Sequence, residues 1–166
     1  MDPTVMMQVC AFQRRYLSML VDDVPEEQMC AQAGGVVNHP AWHLGHLAFV
    51  TDRFGSALGA ESTMEASWEK LFAPRSTPVA DRAVYPSKAE LLARLDDRRV
   101  AAQRAFLVAT PQQLAQANPI VRLAGALPTI GHLAVFGFHV HESTHLGQLA
   151  VWRRVMGMPM AFLKMP

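Results

Sequence analysis

Residues 130–152 read IGHLAVFGFHVHESTHLGQLAVW, from Ile130 to Trp152. At about 100° per residue, Ile130, Ala134, Phe138, His141, His145, Gln148 and Trp152 fall within one narrow arc of a continuous helix. An apolar stripe is thus interrupted at its middle by two histidines, one turn apart. Imidazoles at i and i+4 on one helix face can bind a single cation. Burying two of them unpaired is costly, so the stripe asks for a partner. A divalent metal is one such partner. Hydrogen bonds to neighbours inside an ordinary core are the other.

Working outward from this stretch, Thr129 caps the helix, and Gly157 and Pro159 stop it near residue 156. Upstream, residues 3 to about 21 form a first helix with Pro3 in its first turn. Its core stripe is read as Val5, Val9, Phe12, Tyr16 and Met19, with Met6, Gln13 and Leu20 alongside and Arg14, Arg15 and Ser18 opposite. A connector follows, broken by Gly34-Gly35.

A second helix spans residues 40 to about 59, capped by Asn38 or His39, with Pro40 in its first turn. Its main stripe is Leu44, Leu47, Thr51, Phe54 and Leu58. His39, His43 and His46 lie on the flank, three of the chain's seven histidines within eight residues. One of them can reach His141 and His145. Periodicity favours His43 over His46, because it lies nearer the centre of the stripe.

Residues 60–86 form a long connection with a short helix at 67–72, serving as a lid or as a plain crossover. A third helix starts at Ser87, where Glu90 completes a capping-box pattern, and runs to about residue 109. Leu92, Leu95, Arg99, Ala102 and Phe106 are its inward stripe, and Asp96, Asp97, Arg98 and Arg104 read as a solvated face. Residues 111–128 read as loop, with 120–123 extended. Four long helices and no strand pair argue an all-α bundle, its long connections allowing crossovers.

The chain has 166 residues, which suits a single domain, residues 1–166. Its 51% hydrophobic content implies a well-filled core. A net charge of +1 gives no nucleic-acid footprint and no polybasic membrane patch. No apolar run reaches the roughly 18 residues of a membrane span, and the N-terminus has no basic leader pattern. Cys10 and Cys30 lack a CxxC spacing and read as reduced thiols of a cytoplasmic protein. No Gly-rich phosphate loop is present, so no nucleotide cofactor is expected.

Two segments resemble a known family. His141-Glu142-Ser143-Thr144-His145-Leu146-Gly147-Gln148-Leu149 resembles the H-x-x-x-H-x-G-Q-L signature of the last helix of the DinB/YfiT-like superfamily. Trp42-His43-Leu44-Gly45-His46-Leu47-Ala48 resembles the W-x-x-G-H-L-A stretch of its second helix. The resemblance implies a four-helix bundle with an open three-histidine metal site. Carried over by position, the ligands are His46, His141 and His145, which replaces the periodicity preference for His43. It also implies zinc or nickel as the metal, a homodimer, and either hydrolysis or thiol-dependent transferase or isomerase chemistry, with a low-molecular-weight thiol as co-substrate.

Three neutral imidazoles leave a divalent ion its full charge and an open position. Water there drops in pKa to about 7, and a thiol ionises outright. Glu142 is the candidate general base, or a group orienting a ligand. Gln148, His43 and Trp42 are candidates to orient a ligand or meet substrate. The expected function is therefore a divalent-metal enzyme acting on a small molecule. A non-catalytic, stress-linked bundle with incidental or no metal competes with it. His141-Glu142-Ser143-Thr144-His145 also spells H-E-x-x-H, the zinc-protease motif. The extended metzincin pattern fails, since Gly147 comes two residues after His145 and position 151 is Val.

Overall fold

Asp2 accepts a hydrogen bond from the Thr4 amide at 2.8 Å and so caps helix α1 (Pro3–Val21). The computed structural model describes residues 2–164. Its long segments are α1, α2 (Pro40–Ala57), and, beyond the short α3 (Ala66–Phe72), α4 (Lys88–Val108). The short turns α5 (Pro111–Leu114) and α6 (Val121–Ala124) lead to a last composite helix. That helix is α7 (Ile130–Val135), a π-helical turn (Phe136–His141) and α8 (Glu142–Val155). The architecture is all-helical. Among the described residues the only β pairing is two isolated bridges, and no helix is long and apolar enough to cross a membrane.

Local signals start and stop these helices as their chemistry requires. The Ser87–Glu90 capping box forms at the head of α4. Thr129 caps α7 through the His132 amide. Gly157 adopts φ +71° just beyond α8, where an L side chain would be strained. The cap of α2 is the imidazole of His39. Its Nδ1 accepts from the Trp42 amide at 3.2 Å, and its Nε2–H donates to the Val79 carbonyl at 3.0 Å.

Three expectations fail. The core face of α1 is Met6, Cys10, Gln13, Leu17 and Leu20, whereas Val5, Val9 and Phe12 are exposed. The two stripes have the same helical spacing and are offset by one residue, so periodicity could not separate them. Arg98 is buried on α4, where its guanidinium meets Asp52 of α2 at 3.1 Å. The tight packing of α2 on α4 encloses the pair, so Arg98 leaves the solvated face. Residues 120–123 are not extended. The Asn118 side chain accepts from the Ile120 amide at 2.8 Å, and the Leu123 amide bonds the Ile120 carbonyl, winding the chain into α6.

The last helix also departs from the single arc. Its π turn carries i→i+5 bonding, a form that usually occurs as an isolated bulge. Ile130, Ala134 and Phe138 consequently pack with Met6, Cys10, Leu58 and Ala102, whereas His141 and His145 face α2. Phe136 and His141, five apart, both meet the Phe54 ring, at centroid distances of 6.2 and 5.8 Å. Gln13 of α1 supports the bulge: its amide donates to the His139 carbonyl at 3.3 Å and to Ser143 Oγ at 3.0 Å.

Residues 60–86 fold across α2. Phe72 is fully buried, and a Cβ added at Gly45 would lie 2.2 to 2.4 Å from three atoms of its ring. Gly45→Ala gains about 1 kcal/mol of helix propensity but overpacks a buried ring, at a cost of up to about 3 kcal/mol. We expect a net loss of about 2 kcal/mol, read as a lowered urea midpoint in equilibrium unfolding. An unchanged or raised midpoint would contradict the packing described.

Candidate metal centre

Three imidazole nitrogens converge between α2 and the last helix. His141 Nε2 lies 3.3 Å from His46 Nε2 and 3.3 Å from His145 Nε2. All three ligand atoms lie within 4.8 Å of one another. Two nitrogens bound at about 2.0–2.1 Å to one tetrahedral ion stand about 3.3–3.4 Å apart. The residues therefore fit a metal, on the geometry of the donors themselves.

Each donor needs its second nitrogen held. For His46 the Nδ1–H donates to the Phe72 carbonyl at 2.7 Å, which leaves the Nε2 lone pair aimed at the cluster. His145 Nδ1 faces His43 Nδ1 at 2.9 Å. The tautomer that frees His145 Nε2 donates Nδ1–H to His43, whose own proton then sits on Nε2. That atom is buried without a hydrogen-bond partner of normal geometry. Trp42 walls the site: its ring stacks on His46 at 4.6 Å and 14°, and its Nε1–H donates to Ser76 Oγ at 2.9 Å.

Burial keeps these rings neutral. Desolvation first, then the neighbouring His46 and Arg122, pushes His141 down to about 4. Desolvation, then His46 and His39, takes His43 to about 3. His46 and His145 are lowered for the same leading reason. Neutral imidazole is the form that coordinates a metal. His141 is the half-buried member, while His46 and His145 are buried. The cluster is thus approached along the edge of His141.

The structure brings together His46, His141 and His145, and sets His43 and Trp42 against them. It does not bring Glu142 or Gln148 there. Glu142 is buried on a different face of the helix, in an ion pair with Arg99 of α4. Desolvation raises its carboxyl pKa and the guanidinium opposes that rise. This placement pairs the Glu of the H-E-x-x-H stretch with Arg99 instead of setting it at the histidine cluster. Gln148 is exposed and, among the described residues, its side chain hydrogen-bonds Asn38 at 3.5 Å. Sequence reasoning missed the Phe72 carbonyl and Arg122. A backbone acceptor leaves no residue signature, and Arg122 sat in a segment read as a featureless extension.

An all-helical scaffold that directs three imidazole lone pairs at one point defines a site able to hold a metal ion. The model of the DinB superfamily matches residues 11–149, and the chain belongs to that superfamily. No curated protein matches it.

Two outcomes follow from the electrostatics. In the unfolded chain the imidazoles titrate near 6.5, whereas folding lowers His39 and His141 to about 4 and His43 to about 3. Between these values the unfolded chain binds more protons, so stability rises with pH. The metal-free protein should lose stability as pH falls from about 6.5 to 4, read from urea midpoints across that range. A flat profile would show that the buried rings are not held neutral. Separately, Glu142→Ala leaves the buried Arg99 guanidinium with only the half-exposed Asp96, 3.6 Å away, and should cost about 3 kcal/mol. Metal stoichiometry should stay unchanged in that variant, and loss of metal from the folded protein would return Glu142 to the site.

Proposed function

We propose that this protein is a divalent-metal-dependent enzyme that transfers a thiol to, or hydrolyses, a small molecule. The observation that carries the reading is the set of three imidazole nitrogens within 4.8 Å of one another, His141 Nε2 lying 3.3 Å from each of the other two, on buried or half-buried rings. Membership of the DinB superfamily supports a four-helix bundle built from α1, α2, α4 and the composite last helix, with residues 60–86 and 111–128 as crossovers. Zinc or nickel is the proposed metal, since imidazole suits both.

His46, His141 and His145 would hold the ion. Bound there, it would supply a Lewis acid able to acidify a coordinated thiol or water. Phe72 and His43 fix the ring orientations of two ligands, and Trp42 and Phe54 keep water from the flanks. Three donors rather than four suit a catalytic site more than a structural one. The thiol branch fits better, because the nearest carboxylate in sequence, Glu142, faces Arg99 and a thiol at such a cation needs no separate base. We place the protein in the cytoplasm, consistent with its two free cysteines. We also propose a homodimer, for which the exposed row Val5, Val9 and Phe12 on α1 is a candidate surface.

Untagged protein loaded with zinc or nickel should hold about one ion per chain. His46→Ala, His141→Ala and His145→Ala should each lose it while keeping their helical circular-dichroism signal. Full retention in all three would reject the site. Less than about a tenth of an ion in the parent protein, against the single ion of a designed metal site, would favour a non-catalytic bundle. Turnover with low-molecular-weight thiols, compared with ester and amide hydrolysis, then separates the two branches.

A further inference from the structure

A second feature lies beside the histidines. A cavity of about 360 Å³ is floored by Phe49, Val50 and Phe54 and rimmed by Arg53, Arg75 and Arg122. Its walls belong to the metal centre's own supports. Val50 is one turn along α2 from His46. Phe54 meets the His141 ring at 5.8 Å, and Ala73 directly follows the residue whose carbonyl holds His46. Phe54 thus stands between the cavity and the His141 ring.

Three guanidiniums share this one cavity. Arg14, Arg82, Arg94, Arg98, Arg99 and Arg153 sit in ion pairs, whereas, among the described residues, Arg15, Arg104 and Arg154 do not, and none of these nine lines the cavity. Among the described residues, the side chains of Arg53, Arg75 and Arg122 form no hydrogen bond or ion pair, and the Arg53 guanidinium lies over the face of Phe49, at 5.8 Å. One acid, Glu69, also lines the cavity, leaving a local excess of positive charge. Among the described residues, Arg75 is the one other than glycine with positive φ, at 83°. An L residue held there stores backbone strain, which commonly marks a functional loop.

We propose that this cavity is the substrate subsite of the metal centre and takes a small molecule with an apolar body and an anionic head, carboxylate or phosphate. The inference rests on the metal-centre reading for its catalytic meaning. The arginine fork pairs with two oxygens of such a head, and Phe49 and Phe54 pack against the body. The head is thereby anchored at the rim, with the rest of the molecule directed toward His141.

Phenyl phosphate, 3-phenylpropionate and the uncharged 3-phenylpropanol serve as probes, titrated calorimetrically into zinc-loaded and into metal-free protein. We expect both anions to bind in both forms and the alcohol to bind at least tenfold more weakly. Arg75→Ala and Arg122→Ala should each weaken anion binding about 5–10-fold, and raised salt should weaken it further. The two variants should keep full zinc stoichiometry. The relative affinity of the two anions tells phosphate from carboxylate. Equal binding of the alcohol, or anion affinity unchanged in the Arg75→Ala/Arg122→Ala double variant, would overturn the subsite. So would anion binding only to the zinc form, lost in His141→Ala, because the anion would then sit on the metal. Failure of zinc to bind the parent protein, with arginine-dependent anion binding intact, would instead remove the enzymatic reading alone.

Discussion

The contact between the Phe72 ring and the bare backbone of Gly45 underlies much of this molecule. Only a residue without Cβ lets the ring lie so close to α2. That approach brings the Phe72 carbonyl to 2.7 Å from His46 Nδ1. One carbonyl then fixes the ring's tautomer and direction together. The long connection after α2 is therefore part of the site, because it decides which nitrogen of His46 faces the last helix.

The opposite wall is held by charge. Glu142 and Arg99 are both buried and offset each other's charge, with Asp96 a further partner of Arg99 at 3.6 Å. Their pairing faces α4 while His141 and His145 face α2. The last helix is thus pinned on one side by an ion pair and presents metal donors on the other. The two functions lie on adjacent residues, His141 and Glu142, which a helix directs about 100° apart.

Much of this was legible in residue order. The capping box at Ser87, the Thr129 cap and the Gly157 stop are local chemistry, and local chemistry survives folding. The convergence of His46 with His141 and His145 came through resemblance, whereas periodicity pointed to His43. The structure shows why the two compete: α2 is buried nearly all round, and both histidines face inward. His43 meets His145 directly, and His46 meets His141. The face of α1 was misread because two apolar stripes one residue apart satisfy the same spacing. Arg98 was misread because its partner, Asp52, is 46 positions away, and nothing local announces a tertiary ion pair.

The π turn before the histidines has a further implication. It amounts to one residue more than an α-helix needs between Phe136 and His141. Removing a single residue there would let ordinary helical winding close without a seam and release Gln13 from bridging the bulge. The same excision would swing everything upstream by about 100° relative to the histidines, parting Phe136 from Phe54 and His141. The phase of this helix is therefore a heritable setting, and chain length at one point governs whether two ends of a single rod agree on where the interior lies.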